Sequence, residues 1–132
     1  MGRTEQPRLV HLDTHVVIWL YEGRFEELST TARAMIENGR CAISPMVCLE
    51  LQYLFEIGRN VRDADSVLAA LHQLMDLEVS GSDFDEVMKA ALPLNWTRDA
   101  FDRLIAAQAL HEGAVLLTRD RKIREHFAAA VW

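Results

Sequence analysis

The sequence predicts an α/β domain: a four- or five-stranded parallel sheet covered by helices on both faces. Three observations carry this. Short apolar stretches stand at 9–12, 41–44, 77–79 and 114–118, each the length of a buried strand. Helix-length amphipathic segments separate them, such as 63–75 with Val67, Leu68, Leu71, Leu74 and Met75 at helical spacing. Parallel strands need just such crossovers, and helices on both faces bury the sheet, so its strands read as continuous apolar runs. At 132 residues the chain is one domain, here 9–132, preceded by a polar extension at 1–8.

In chain order, 9–12 is the first strand. A short helix from Thr14 to Tyr21 follows, ended by Gly23. Residues 26–38 read as one helix with Leu28, Ala32, Met35 and Ile36 on one face and Gly39 as its C-cap. After the strand at 41–44, Ser44-Pro45 opens a helix well, Ser as N-cap and Pro at the first helical position, and Gly58 ends it. The helix at 63–75 leads to a short strand at 77–79. A helix over 82–92 has Ser82 as cap and Pro93 beyond it, and an apolar helix over 101–111 ends at Gly113. The strand at 114–118 precedes a last helix over 121–127, and 128–132 reads as an edge strand.

Composition excludes several classes. The longest apolar runs fall far short of the roughly 20 residues that span a bilayer. Residues 1–7 are polar and lack the apolar centre of a signal peptide, so a cytoplasmic protein is expected. Cys41 and Cys48 make neither a disulfide framework nor a zinc ligand set. No Gly-rich phosphate loop is present. A net charge of −6 argues on its face against a nucleic-acid partner, but residues 98–124 carry +2 against −8 for the remainder. Interleaved charges there suit an anionic substrate reached through metal ions, or an ordinary solvated helix surface.

Four acids do not look structural together. Asp13 ends the first strand; it is a helix cap, or it is free if Thr14 caps instead. Glu50 projects from an apolar helix face, with Met46, Val47, Tyr53 and Leu54 as its i±3 and i±4 neighbours. A carboxylate buried there without a partner costs several kcal/mol (~2–7) or stays protonated. Asp99 and Asp102 open the helix at 101–111, although one cap suffices. Asp120 follows the strand at 114–118. On parallel strands, all four of Asp13, Glu50, Asp102 and Asp120 converge at one edge of the sheet, where ligands gather in such folds. Several carboxylates there repel one another unless cations neutralise them, and oxygen-only ligands suit Mg²⁺ or Mn²⁺. Such ions near a phosphodiester support hydrolysis by activating water and stabilising the leaving oxygen. Among the histidines only His15 lies near the site, as a ligand, a general base or a plain helix residue.

Leu12-Asp13-Thr14-His15 with Trp19, Ser44-Pro45 with Glu50-Leu51, the run from Asp102 through Arg103 to Ala109, and Leu117-Thr118-Arg119-Asp120 together resemble the PIN-domain proteins, and within them the VapC-type ribonuclease toxins of toxin–antitoxin pairs. The resemblance covers nearly the whole chain in the family's order. It implies a three-layer α/β/α domain and a Mg²⁺- or Mn²⁺-dependent endoribonuclease acting on single-stranded RNA. It maps the metal-holding acids onto Asp13, Glu50, Asp102 and Asp120, with Asp99 as an accessory acid and Thr118 helping to hold the site. It also implies a homodimer and a small antitoxin partner whose segment covers the acids. Arg103 and Arg119 are expected to contact the RNA backbone.

Two other classes are weighed against this. An aspartyl-phosphate phosphotransferase also places an acid after the first strand, but wants a second Asp where His15 stands, and a receiver domain wants a lysine at a late strand end, where neither Lys89 nor Lys122 lies. A non-catalytic RNA- or partner-binding module of the same fold has no use for an intact acid set.

Overall fold

The computed structural model describes residues 7–60 and 62–132, so most of the expected extension at 1–8 lies outside the described residues. Five strands form one sheet: β1 (Leu9–Leu12), β2 (Arg40–Ile43), β3 (Glu78–Val79), β4 (Val115–Leu117) and β5 (Ala130–Val131). All pair in parallel, in the order β3-β2-β1-β4-β5. The helices are α1 (Thr14–Glu22), α2 (Thr30–Asn38), α3 (Pro45–Glu56), α4 (Ala64–Met75), α5 (Phe84–Ala91), α6 (Ala100–His111) and α7 (Arg121–His126).

The strand order fixes where a site belongs. From β1 the chain steps outward to β2 and β3, then returns across the sheet to β4 on the other side of β1. Right-handed crossovers then place α1–α4 on one face and α5–α7 on the other, the expected three layers. The order reverses between β1 and β4. Helices diverge there to opposite faces and leave a crevice beyond the strands' carboxyl ends. The two strands are joined there by the Asp13 amide, which donates to the Leu117 carbonyl at 3.0 Å.

Local chemistry explains most boundaries. Ser44 caps α3 by accepting from the Met46 amide at 3.1 Å, with Pro45 at the first helical position, as expected. Gly23 ends α1 in the left-handed conformation, φ +70°. Val10, Leu12, Ile43, Leu116 and Leu117 are fully buried, which is why β1, β2 and β4 read as apolar runs. No helix among the described residues is long and apolar enough to cross a membrane.

Two local expectations are corrected and one is sharpened. Residues 26–38 are not one helix: a 3₁₀ turn at Phe25–Glu27 precedes α2, and Ser29 caps α2 by accepting from the Ala32 amide at 3.0 Å. Gly39 is the C-cap of α2, as expected, but in extended rather than left-handed backbone, with φ −104°. It is needed for close approach instead: a Cβ there would lie 2.6 Å from the Met35 carbonyl oxygen and 2.7 Å from Val10 Cγ2. Ser82 does not cap α5; Asp83 holds that position, and the Ser82 hydroxyl donates to Glu112 at 2.8 Å.

Candidate metal centre

Each expected acid comes from a different segment at the carboxyl edge of the sheet. Asp13 ends β1, Glu50 lies in the second turn of α3 after β2, Asp102 lies in the first turn of α6, and Asp120 follows β4. All four line one cavity of about 140 Å³, together with Thr14, His15, Ile18 and Leu54.

Asp13 is 3 % exposed and is itself the N-cap of α1. One carboxylate oxygen accepts from the Thr14 amide at 2.8 Å, the other from the Thr118 hydroxyl at 2.7 Å. The expectation that Thr14 caps and leaves Asp13 free is therefore reversed. The Thr14 hydroxyl points away from the helix end and donates to Glu50 Oε1 at 2.5 Å. Each Asp13 oxygen keeps a second lone pair, so its tether orients the carboxylate without exhausting it.

Glu50 stands on the apolar face expected for it, half-buried. Burial pushes its carboxyl up; the Thr14 hydrogen bond opposes this, and the negative Asp13 and Asp99 add to the rise. Asp102 is perturbed most. Burial, then Asp13, Asp99, Asp120 and Glu50, push it up to about 7, with no hydrogen bond acting in the other direction. Among the described residues, no lysine or arginine pairs with any of the four.

Asp99 and Thr118 sit behind this set. Asp99 is the N-cap of α6, accepting from the Phe101 and Asp102 amides at 2.9 and 3.1 Å. It fixes the turn that carries Asp102 and adds negative charge. Thr118 is fully buried; its hydroxyl donates to Asp13 and accepts from the Asp120 amide at 3.0 Å. One hydroxyl thus ties the ends of β1 and β4 together. Asp120 caps α7, accepting from the Ile123 amide at 3.0 Å.

His15 is the residue whose role was least legible. Its Nε2 accepts the Arg119 amide at 2.9 Å, so the proton of the neutral ring sits on Nδ1, 3.6 Å from Asp13 Oδ2. Burial lowers its pKa, partly offset by Asp13 and Asp120. His15 thereby clamps the β4–α7 loop to α1. The only local signal was its place two residues after Asp13.

The two arginines part company. Arg119 is exposed at the rim, pairs with Glu27 at 2.9 Å and lies 5.7 Å from the Trp19 ring centre. Arg103 does not line the cavity. Its guanidinium donates to the carbonyls of Ala91 at 2.9 Å, Leu92 at 2.7 Å and Thr97 at 3.5 Å, fastening the end of α5 to α6.

The four acids suit a hard divalent cation: carboxylate oxygens, mutually repelling, with no lysine or arginine paired to them among the described residues. The acids line an opening rather than a finished cage; among the described residues no three Asp, Glu, His or Cys side chains already close around one point.

Known proteins resemble this chain in sequence and in fold. The chain is 34 % identical over 120 residues to ribonuclease VapC22 of Mycobacterium tuberculosis, covering 89 % of this chain and 91 % of that protein. Its fold matches a chain of the Rickettsia felis VapBC2 complex bound to a promoter DNA fragment, with a TM-score of 0.67 at 20 % identity, covering 93 % of this chain and 96 % of that one. A chain of a Klebsiella pneumoniae toxin–antitoxin complex matches with the same TM-score of 0.67, 20 % identity and coverage of 93 % and 96 %. The PIN-domain model matches residues 10–127, a span that begins in β1 and takes in all four acids, and with it this chain belongs to the PIN-domain family.

Proposed function

We propose that this chain is a Mg²⁺- or Mn²⁺-dependent endoribonuclease that cuts single-stranded RNA, and that it is the toxin of a type II toxin–antitoxin pair acting in the cytoplasm. The observation that carries the reading is the meeting of four carboxylates from four separate segments on one cavity, with no lysine or arginine partner among the described residues, at the sheet's switch point. The likeness to a ribonuclease supports the reaction class, and the toxin–antitoxin complexes among the structural neighbours support an antitoxin partner.

Asp13, Glu50 and Asp102 would hold the ion, with Asp120 holding a second ion or orienting water. A bound divalent ion supplies charge neutralisation at the phosphate and a more acidic water. The chain's own residues do the rest. Thr118 and the α1 N-terminus fix Asp13, Thr14 fixes Glu50, and His15 holds the loop that carries Arg119 and Asp120. Asp99 takes an accessory part by setting the first turn of α6. Arg119, exposed at the rim, contacts the RNA backbone, whereas Arg103 positions α5 against α6. Leu49 and Tyr53, one turn apart, leave apolar surface on α3 that a second copy would cover in a homodimer, which sedimentation would read directly.

The test is incubation of purified protein with single-stranded RNA in Mg²⁺, in Mn²⁺ and in chelator. Cleavage is expected with either ion and lost with chelator and in Asp13→Asn. Cutting that persists with chelator ends the metal reading. A metal-raised melting temperature without any cutting points to a binding module instead.

A further inference from the structure

We propose that His15, Trp19 and Trp132 form a stacking platform for a nucleobase next to the scissile phosphate, with Arg119 beside it to hold the backbone; this rests on the ribonuclease reading above. His15 belongs to two neighbourhoods at once. It lines the acidic cavity, and its ring lies edge-on to Trp19 at 5.0 Å and to Trp132 at 6.4 Å between centres. The two indoles are 5.8 Å apart and inclined by 55°. One comes from α1 and the other follows β5, so the cluster exists only because the sheet brings these segments together. Both indoles are partly buried: part of each packs on the core, the remainder reaches the surface.

The bland role for such a cluster is to seal β5 against α1. Three features exceed it. The indoles meet the acidic cavity through His15, which touches both rings and lies 3.6 Å from Asp13 Oδ2. A cation attends them, since the Arg119 guanidinium lies 5.7 Å from the Trp19 ring centre and, among the described residues, pairs at the surface with Glu27. Arg124 donates to the Arg119 carbonyl at 3.4 Å, so a second cation lies against the backbone of the same loop. Aromatic faces next to backbone-tracking cations are how single strands are gripped without base readout. Tyr53 and Phe101 make another aromatic pair, but neither lines the cavity and no arginine lies over either ring.

The experiment uses the full chain and a single-stranded RNA cut at one position, and the same RNA with an abasic nucleotide on either side of that position. Base stacking is commonly worth enough for roughly a five- to hundredfold effect on binding. Trp132→Ala is therefore expected to raise KM about tenfold with kcat little changed, and Trp132→Phe to restore most of it. One of the two abasic RNAs should carry a similar penalty on the wild type and almost none on Trp132→Ala, because the two losses remove the same contact. Penalties that simply add, or a loss confined to kcat, overturn the platform while leaving the ribonuclease reading intact. Should the wild type cut no RNA, the platform is read by binding: in Trp96→Phe protein, RNA is expected to quench the emission of the Trp19–Trp132 pair, and no quenching overturns it.

Discussion

Asp102 and Glu112 lie on opposite ends of one helix, about 15 Å apart at 1.5 Å per residue, and their surroundings are inverted. Burial opposes ionisation of both. Around Glu112, hydrogen bonds from Gln108, His11, Ser82 and Ser80 overcome burial and hold its carboxyl down at about 2. Those partners lie 2.6, 2.9, 2.8 and 2.9 Å away. Around Asp102 the neighbours are four more acids, and its carboxyl rises to about 7. Glu112 is a finished structural lock that ties β1, the β3–α5 loop and α6 together. Asp102 is an unfinished arrangement, stable only if something positive joins it. A perturbed carboxylate is therefore not by itself a mark of function, since structural hydrogen-bond networks shift pKa values too.

The sharpest test of the contrast exchanges charge for amide at each end. Asp102→Asn should lower RNA cleavage about a hundredfold or more, since it removes a ligand from the proposed ion site. The metal-free fold should be no less stable, because repulsion is relieved; a lower melting temperature without metal would mean that Asp102 is structural after all. Glu112→Ala should do the reverse. It strands buried donors and costs about 3 kcal/mol in denaturant unfolding, with cleavage per folded molecule unchanged.

The two ends also differ in sign with pH. Glu112 is depressed below its ordinary 4.5, so its contribution is present above that value and is lost as pH falls towards 2. Asp102 is raised above its ordinary 3.8, so the folded state grips that proton more tightly and metal-free stability falls as pH rises from about 4 to 7. Denaturant midpoints from pH 3 to 8 should show both limbs in the wild type, with the upper one reduced in Asp102→Asn to the part that the raised Glu50 carboxyl supplies.

Smaller changes probe the supports. Thr118→Val removes the donor to Asp13 and should reduce cleavage about tenfold while costing about 1 kcal/mol of stability; a stability loss alone would reduce Thr118 to a structural tie. Ser82→Ala removes one of the donors to Glu112 and should cost about 0.5–1.5 kcal/mol, with kcat and KM unmoved.

Much of this was legible without coordinates. The place of Glu50 on an apolar face was legible because helical periodicity is local: i±3 and i±4 neighbours reveal such a face from sequence alone. Ser44-Pro45 announced α3 because its capping partners are two residues away. The errors share a cause. Thr14 and Asp13 are both sound caps by chemistry, and the choice was made by Thr118 and Glu50, 105 and 36 residues distant. Ser82 looked like a cap but is held by Glu112, 30 residues on. Arg103 looked like a phosphate ligand, yet the end of α5 takes its donors.

The sequence by itself determined the alternation of strand and helix, the apolar core of the sheet and the identity of the acids, because these follow from periodicity and side-chain chemistry along a few residues. The tertiary structure decided which acids are tethered and which are left repelling, how the His15–Trp19–Trp132 cluster is assembled, and that Glu112 is satisfied where Asp102 is not. Those outcomes depend on which hydrogen-bond donors and charges arrive from distant segments, and only the folded chain sets those distances.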